Sequence, residues 1–110
     1  PHLIVLTILD GLLKSMQMFE DNINVRAGGD QELKSKHFAR ALTIIYALQS
    51  SLDFEKGEPV ATNLFQLYEF ARQQMIADLG KGIAEGTPKA KDALSEIRDA
   101  WQAIGAEVNK

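Results

Sequence analysis

Apolar side chains recur along this chain at steps of three and four residues, in four stretches separated by glycine and proline. Val5, Leu9, Leu12, Met16, Phe19 and Ile23 make the first series, and Phe38, Ala41, Ile45, Leu48 and Leu52 the second. Val60, Leu64, Leu67, Ala71 and Met75 make the third, and Ala90, Leu94, Ile97, Trp101, Ile104 and Val108 the fourth. Such steps keep one face of a helical turn apolar, so each stretch reads as a helix. No segment alternates with period two, and no Asn-Gly or Asp-Gly turn joins two β-rich runs. The breakers Gly28-Gly29, Gly57-Glu58-Pro59, Gly80-Lys81-Gly82 and Gly86-Thr87-Pro88 place the helices at about 1–26, 30–52, 59–79 and 88–108. Pro59 and Pro88 fall where a helix begins, the position that tolerates a missing N–H. Asp30 and Thr87 are expected N-caps and Gly80 the expected C-terminal glycine of the third helix. Isolated Gly11 and Gly105 each cost about 1 kcal/mol inside a helix; Gly11 is expected to serve close packing. Four helices of matched length with short links predict an all-α fold, an antiparallel up-down four-helix bundle forming one domain over residues 1–110.

Placing side chains at about 100° per residue shows stripes wider than a bundle seam needs. The fourth helix has a narrow apolar arc bordered by Ala93, Ala100 and Ala103. The third differs: Val60, Leu64, Tyr68, Ala71 and Met75 share one direction, Phe65 and Ile76 lie well to the side with Arg72 between them, and Phe70 points elsewhere. On the second helix Ile44 and Tyr46 fall on opposite sides of the main stripe. The first helix is apolar almost all round at its start, through Leu3–Leu9. One reading takes these as singly exposed apolar side chains of a small domain. The other takes them as an apolar groove for an amphipathic helix of a partner, with the start of the first helix covered by that partner or by a preceding segment.

Composition narrows the function. The 110 residues include 45% hydrophobic and 25% charged, with no cysteine and a net charge of −3. Without thiols there is no disulfide framework and no CxxC or zinc-finger site. The mildly acidic balance, and basic residues that never interleave with aromatics, argue against nucleic acid as a partner. No apolar run is long enough to span a membrane, and Leu3–Leu9 lacks the flanks of a signal peptide. A chain starting at Pro1 reads as a trimmed or incompletely ordered version of a longer protein. His2 is terminal and no HExxH or paired carboxylate–His spacing offers a metal site. His37, among Lys34, Lys36 and Arg40, reads as a structural histidine at the flank of its stripe. GxSxG, P-loop and GxGxxG patterns are absent, so the chain is read as no enzyme and without a cofactor.

Several segments together resemble one family. Ser50–Gly57, SSLDFEKG, is similar to the segment after the second long helix of the flagellar secretion chaperone (FliS) family. Arg40-Ala41-Leu42-Thr43-Ile44-Ile45 resembles the basic–Ala–x–x–Ile–Ile stretch that leads into it. Asn63-Leu64 with Leu67-Tyr68-Glu69-Phe70 resembles the Asn-Leu-x-x-Leu-Tyr-acid-aromatic signature, and Ile97-Arg98-Asp99-Ala100-Trp101 the end of the last helix. Leu9-Asp10-Gly11 stands where the family usually has Tyr-Asp-Gly. Each motif is weak by itself; collinear over essentially the whole chain, they are specific. Leu9 for Tyr, Glu58 for a second glycine and Leu79 for Asn are departures.

The resemblance implies a cytoplasmic export chaperone that holds the C-terminal segment of flagellin and prevents its premature polymerisation. A flagellar regulatory protein is a further candidate partner, and weak homodimerisation is compatible with the wide stripes. Combining the helical wheel with the resemblance, the expected partner-binding residues are Ile44, Leu48, Leu52, Phe65, Tyr68 and Ile76, of which Leu48 and Leu52 lean towards core. The competing expectation is a structural or self-associating bundle without a client.

Overall fold

The computed structural model describes residues 2–108. Pro1, Asn109 and Lys110 of the expected domain lie outside the described residues. So do the side chains of His2 and of residues 106–108, among them Val108 of the fourth stripe. Four helices follow in order: α1 (His2–Asn22), α2 (Gln31–Ser50), α3 (Val60–Lys81) and α4 (Thr87–Val108), with a 3-10 turn, Val25–Ala27, between the first two. The described residues form no strand. Each helix packs on its neighbours in sequence and α4 returns to α1, closing a ring. Contact is most extensive between α1 and α2 and least between α2 and α3. Antiparallel order is fixed by side-chain pairs: Ser15 faces His37 across α1 and α2, and Asp10 and Glu20 face Arg98 and Lys91 across α1 and α4.

The predicted stripes supply the core. Leu9, Leu12, Met16, Phe19 and Ile23 meet Ala41, Ile45 and Leu48, then Tyr68, Ala71 and Met75, and finally Ala90 and Leu94. The rings of Phe19 and Phe38 meet at a 40° tilt, with centroids 5.4 Å apart. Two stripe positions depart from expectation. Val60 is exposed in the first turn of α3, and Ile104 is exposed near the end of α4. By the register of Arg98 and Asp10, Ile104 stands opposite the first turns of α1, where Leu3 and Ile4 are exposed too. No further layer covers that end among the described residues.

The helix ends are set by side chains that the stripes do not register. α1 stops at Asn22, four residues before the sequence boundary, because its carboxamide turns back: Nδ2 donates to Met18 O (2.9 Å) and Oδ1 accepts from Asp30 N–H (3.0 Å). Asn24 Oδ1 then accepts from Ala27 N–H (3.1 Å) and starts the 3-10 turn, which ends at Gly28 in the left-handed region, φ 106°. Asp30 caps α2 as expected, accepting Leu33 N–H at 2.9 Å. α3 runs past Gly80 and is closed by Gly82, φ 75°, whose N–H bonds Asp78 O. Thr87 is the first helical residue of α4 rather than its cap; the cap comes from α3. Asp78, buried, accepts the N–H groups of Glu85 (2.9 Å), Gly86 (3.2 Å) and Thr87 (2.8 Å).

Candidate functional site

Between α2 and α3, the least extensive of the four seams, a cleft of about 430 Å³ opens between Tyr46, Gln49 and Ser50 on one side and Phe65, Glu69 and Arg72 on the other. Helical spacing explains the α3 wall, since Phe65, Glu69, Arg72 and Ile76 follow one another at steps of three and four. Its centre is polar. Arg72 Nε donates to both oxygens of Glu69 (3.0 and 3.1 Å), Gln73 Nε2 donates to Glu69 (3.2 Å), and Gln49 Nε2 donates across the cleft to Glu69 Oε1 (3.3 Å). The hydrogen bond from Arg72 dominates in bringing the Glu69 carboxyl down to about 2. Either side of this network is apolar and open: Tyr46 is 69% exposed, Phe65 39% and Ile76 43%.

The connection that resembles the family segment shapes one end of the cleft. Asp53 Oδ1 accepts the N–H groups of Glu55 and Lys56, both at 3.0 Å, and folds the chain into an Asx-type turn. Gly57 closes it with an N–H bond to Asp53 O (2.8 Å). A Cβ on Gly57 would lie 2.6 Å from that oxygen, so glycine is required there. The Glu58–Pro59 peptide bond that follows is cis. This turn carries Phe54 to the edge of Phe65, centroids 6.0 Å apart.

A second, apolar opening lies at the same end of the bundle. Val5, Leu9, Leu48, Leu52, Leu64, Tyr68, Ile97 and Trp101, with Ser51, surround a cavity of about 200 Å³. It adjoins a cleft of about 320 Å³ formed by Ile4, Val5, Ile8, Ala47, Leu48 and Ser51, between the start of α1 and the end of α2.

The expected partner-binding residues therefore divide. Leu48, Leu52 and Tyr68 gather at the apolar opening, with Leu48 and Tyr68 buried and Leu52 partly so. Burial raises the Tyr68 phenol above its ordinary range. Phe65 stands in the α2–α3 cleft, and Ile76 lies exposed further along the same α3 row. Ile44 is half-buried on the α1 side, its Cδ1 3.9 Å from where a Cβ on Gly11 would stand. That distance is ordinary contact, so Gly11 is not demanded by close packing as the sequence suggested. Sequence reasoning did not single out Phe54, Gln49 or Glu69. Their signal was present only as spacing: Glu69 sits a turn from both Phe65 and Arg72.

His37 is buried between α1 and α2, its Nδ1 3.3 Å from Ser15 Oγ. Burial, then the positive charges of Lys36, Arg40 and Lys14, hold its imidazole below the ordinary value. That environment favours a neutral packing residue. Among the described residues no group of three or more His, Asp or Glu side chains comes together as a metal site, and no helix is long and apolar enough to cross a membrane.

This geometry defines an all-α four-helix bundle whose off-seam apolar side chains border a polar-centred cleft. The family model described as flagellar protein FliS matches residues 1–108. The chain is 27% identical to the flagellar secretion chaperone FliS of Salmonella typhimurium, over 99% of its own length and 79% of the relative's. It is 29% identical to the flagellar secretion chaperone FliS of Vibrio cholerae, over 97% and 76% respectively. The chain belongs to the FliS family of flagellar secretion chaperones.

Proposed function

We infer that this chain is a cytoplasmic, non-enzymatic export chaperone that holds the C-terminal segment of flagellin and keeps it from polymerising before secretion. The observation that carries the reading is the open apolar surface beside α2 and α3, with Phe65 and Tyr46 outside the bundle core, in a chain of the FliS family. An amphipathic segment that is disordered when free pays an ordering cost on binding, which an extended apolar surface offsets by burying area. The client's apolar stripe takes the place of water over Phe65, Tyr46 and Ile76 and over the cleft at Leu48 and Leu52, while its polar positions meet Gln49 and the Glu69–Arg72 pair.

Calorimetric titration with a flagellin C-terminal peptide is expected to show saturable binding, with a gain of helical circular dichroism on mixing. Absence of both overturns the reading. Phe65→Glu and Ile76→Glu are each expected to weaken binding by about tenfold or more, with little change in the melt because both side chains are partly exposed. A collapsed melt would assign them to the core instead. Sedimentation over a concentration series addresses the competing self-associating bundle, for which a persistent monomer is the contrary result. A flagellar regulatory protein that shares this surface would displace the peptide in the same titration.

A further inference from the structure

At the end of the bundle away from Leu48 and Tyr68, a cleft of about 500 Å³ lies between the turn after α1, the first turn of α2 and the last turn of α3. Three cations line it, Arg26, Lys34 and Lys81, and no Asp or Glu does, in a chain whose net charge is −3. Lys81 reaches Glu85 at 3.1 Å. Arg26 and Lys34 make no ion pair among the described residues. Lys34 is only 9% exposed, and its Nζ donates to the neutral carbonyl of Ile23 at 2.7 Å. Lys34 thus borders the cleft with no carboxylate beside it, and an anion entering there meets two cations that no acidic side chain neutralises. Flanking the cations are apolar side chains left open, Val25 at 41% and Ile83 at 49% exposure.

We propose that this cleft is a second docking surface, separate from the α2–α3 cleft, which takes a peptide segment carrying carboxylates beside aliphatic side chains. Charge complementarity selects the occupant. The carboxylate meets Arg26 and Lys34, and the neighbouring aliphatic groups cover Val25 and Ile83. Lys81, already shared with Glu85, lends long-range attraction and speeds encounter.

The test uses the full chain, isotope-labelled, titrated with a ten-residue amidated peptide of glutamate and leucine arranged as an amphipathic helix. The same peptide with glutamine for glutamate, and inorganic phosphate, are run in parallel. Amide shifts confined to Val25, Arg26, Lys34, Gly82 and Ile83, from the acidic peptide and not its glutamine form, are the expected result. Arg26→Gln is expected to weaken that binding about fivefold without moving the melt, and Lys34→Met to weaken it further. If Lys34→Met does not fold, Arg26→Gln decides. Phe65→Glu is expected to leave this binding unchanged. Shifts elsewhere only, unchanged affinity in Arg26→Gln, or equal shifts with phosphate would each overturn the proposal, the last by reducing the cleft to an anion site.

Discussion

Asp78 is 1% exposed at the corner where α3 gives way to α4, and it is the residue on which that corner turns. Burial pushes its carboxyl up, but the N–H groups of Thr87, Gly86 and Glu85 together outweigh this and hold it below the usual range. Replacing it by alanine leaves three donors at the start of α4 without their acceptor. Asp78→Ala is therefore expected to cost about 2–3 kcal/mol in urea denaturation, and Asp78→Asn less, because one acceptor oxygen remains. Gly11 is the opposite case. It is interior to α1, and a Cβ there would make only ordinary contact with Ile44. Gly11→Ala is expected to raise stability by about 0.5–1 kcal/mol in the same assay, since alanine loses less backbone freedom on folding.

At the scale of elements, unequal packing predicts unequal protection. Of the four seams, α1 and α2 share the most extensive contact and α2 and α3 the least, and Pro59, just before α3, supplies no side-chain cap. Native-state hydrogen exchange is expected to be about tenfold or more faster in the first turn of α3, Val60–Asn63, than in the α1 core around Leu12 and Met16. Uniform protection would contradict this. The helices and their buried faces were legible in sequence because apolar spacing is a local property: Leu12, Phe19, Ile45 and Met75 lie where their period puts them. What was not legible depends on partners distant in sequence. The α4 cap is a carboxylate nine residues upstream of Thr87, so the nearer hydroxyl was the wrong choice. Asn22 ends α1 through a bond to Asp30 eight residues on. The candidate surface was half legible. The wheel placed Phe65 and Ile76 off the seam and leaned Leu48 towards the core, but it left Tyr68, which the neighbouring helices enclose, among the side chains expected to meet a partner.

For the whole molecule, two buried groups give stability the same pH sign. Asp78 and His37 both hold their folded pKa below the ordinary value. In each case the unfolded chain takes up the proton first as pH falls, so stability is lost on acidification. His37 contributes from about pH 6.5 downward and Asp78 from about pH 4 downward, the ordinary values of the two groups. The melting temperature is expected to be flat from neutrality to about pH 9, to decline in a first step below neutrality, and to fall steeply in the carboxylate range. His37→Gln removes the first step, and a melting temperature that rises between pH 7 and 5 would refute the assignment. The distribution of polar ties has a mechanical consequence as well. Lys91 to Glu20 (2.8 Å) and Arg98 to Asp10 (2.7 Å) lace the α1–α4 seam, while Asp78 locks the α3–α4 corner and Lys34 the α1–α2 one. Across α2 and α3, Gln49 alone supplies the side-chain hydrogen bonds found among the described residues. Three of the four seams are thus braced by charged side chains, and the α2–α3 seam is bridged by one neutral carboxamide. Gln49→Ala therefore removes every side-chain hydrogen bond found between those two helices among the described residues.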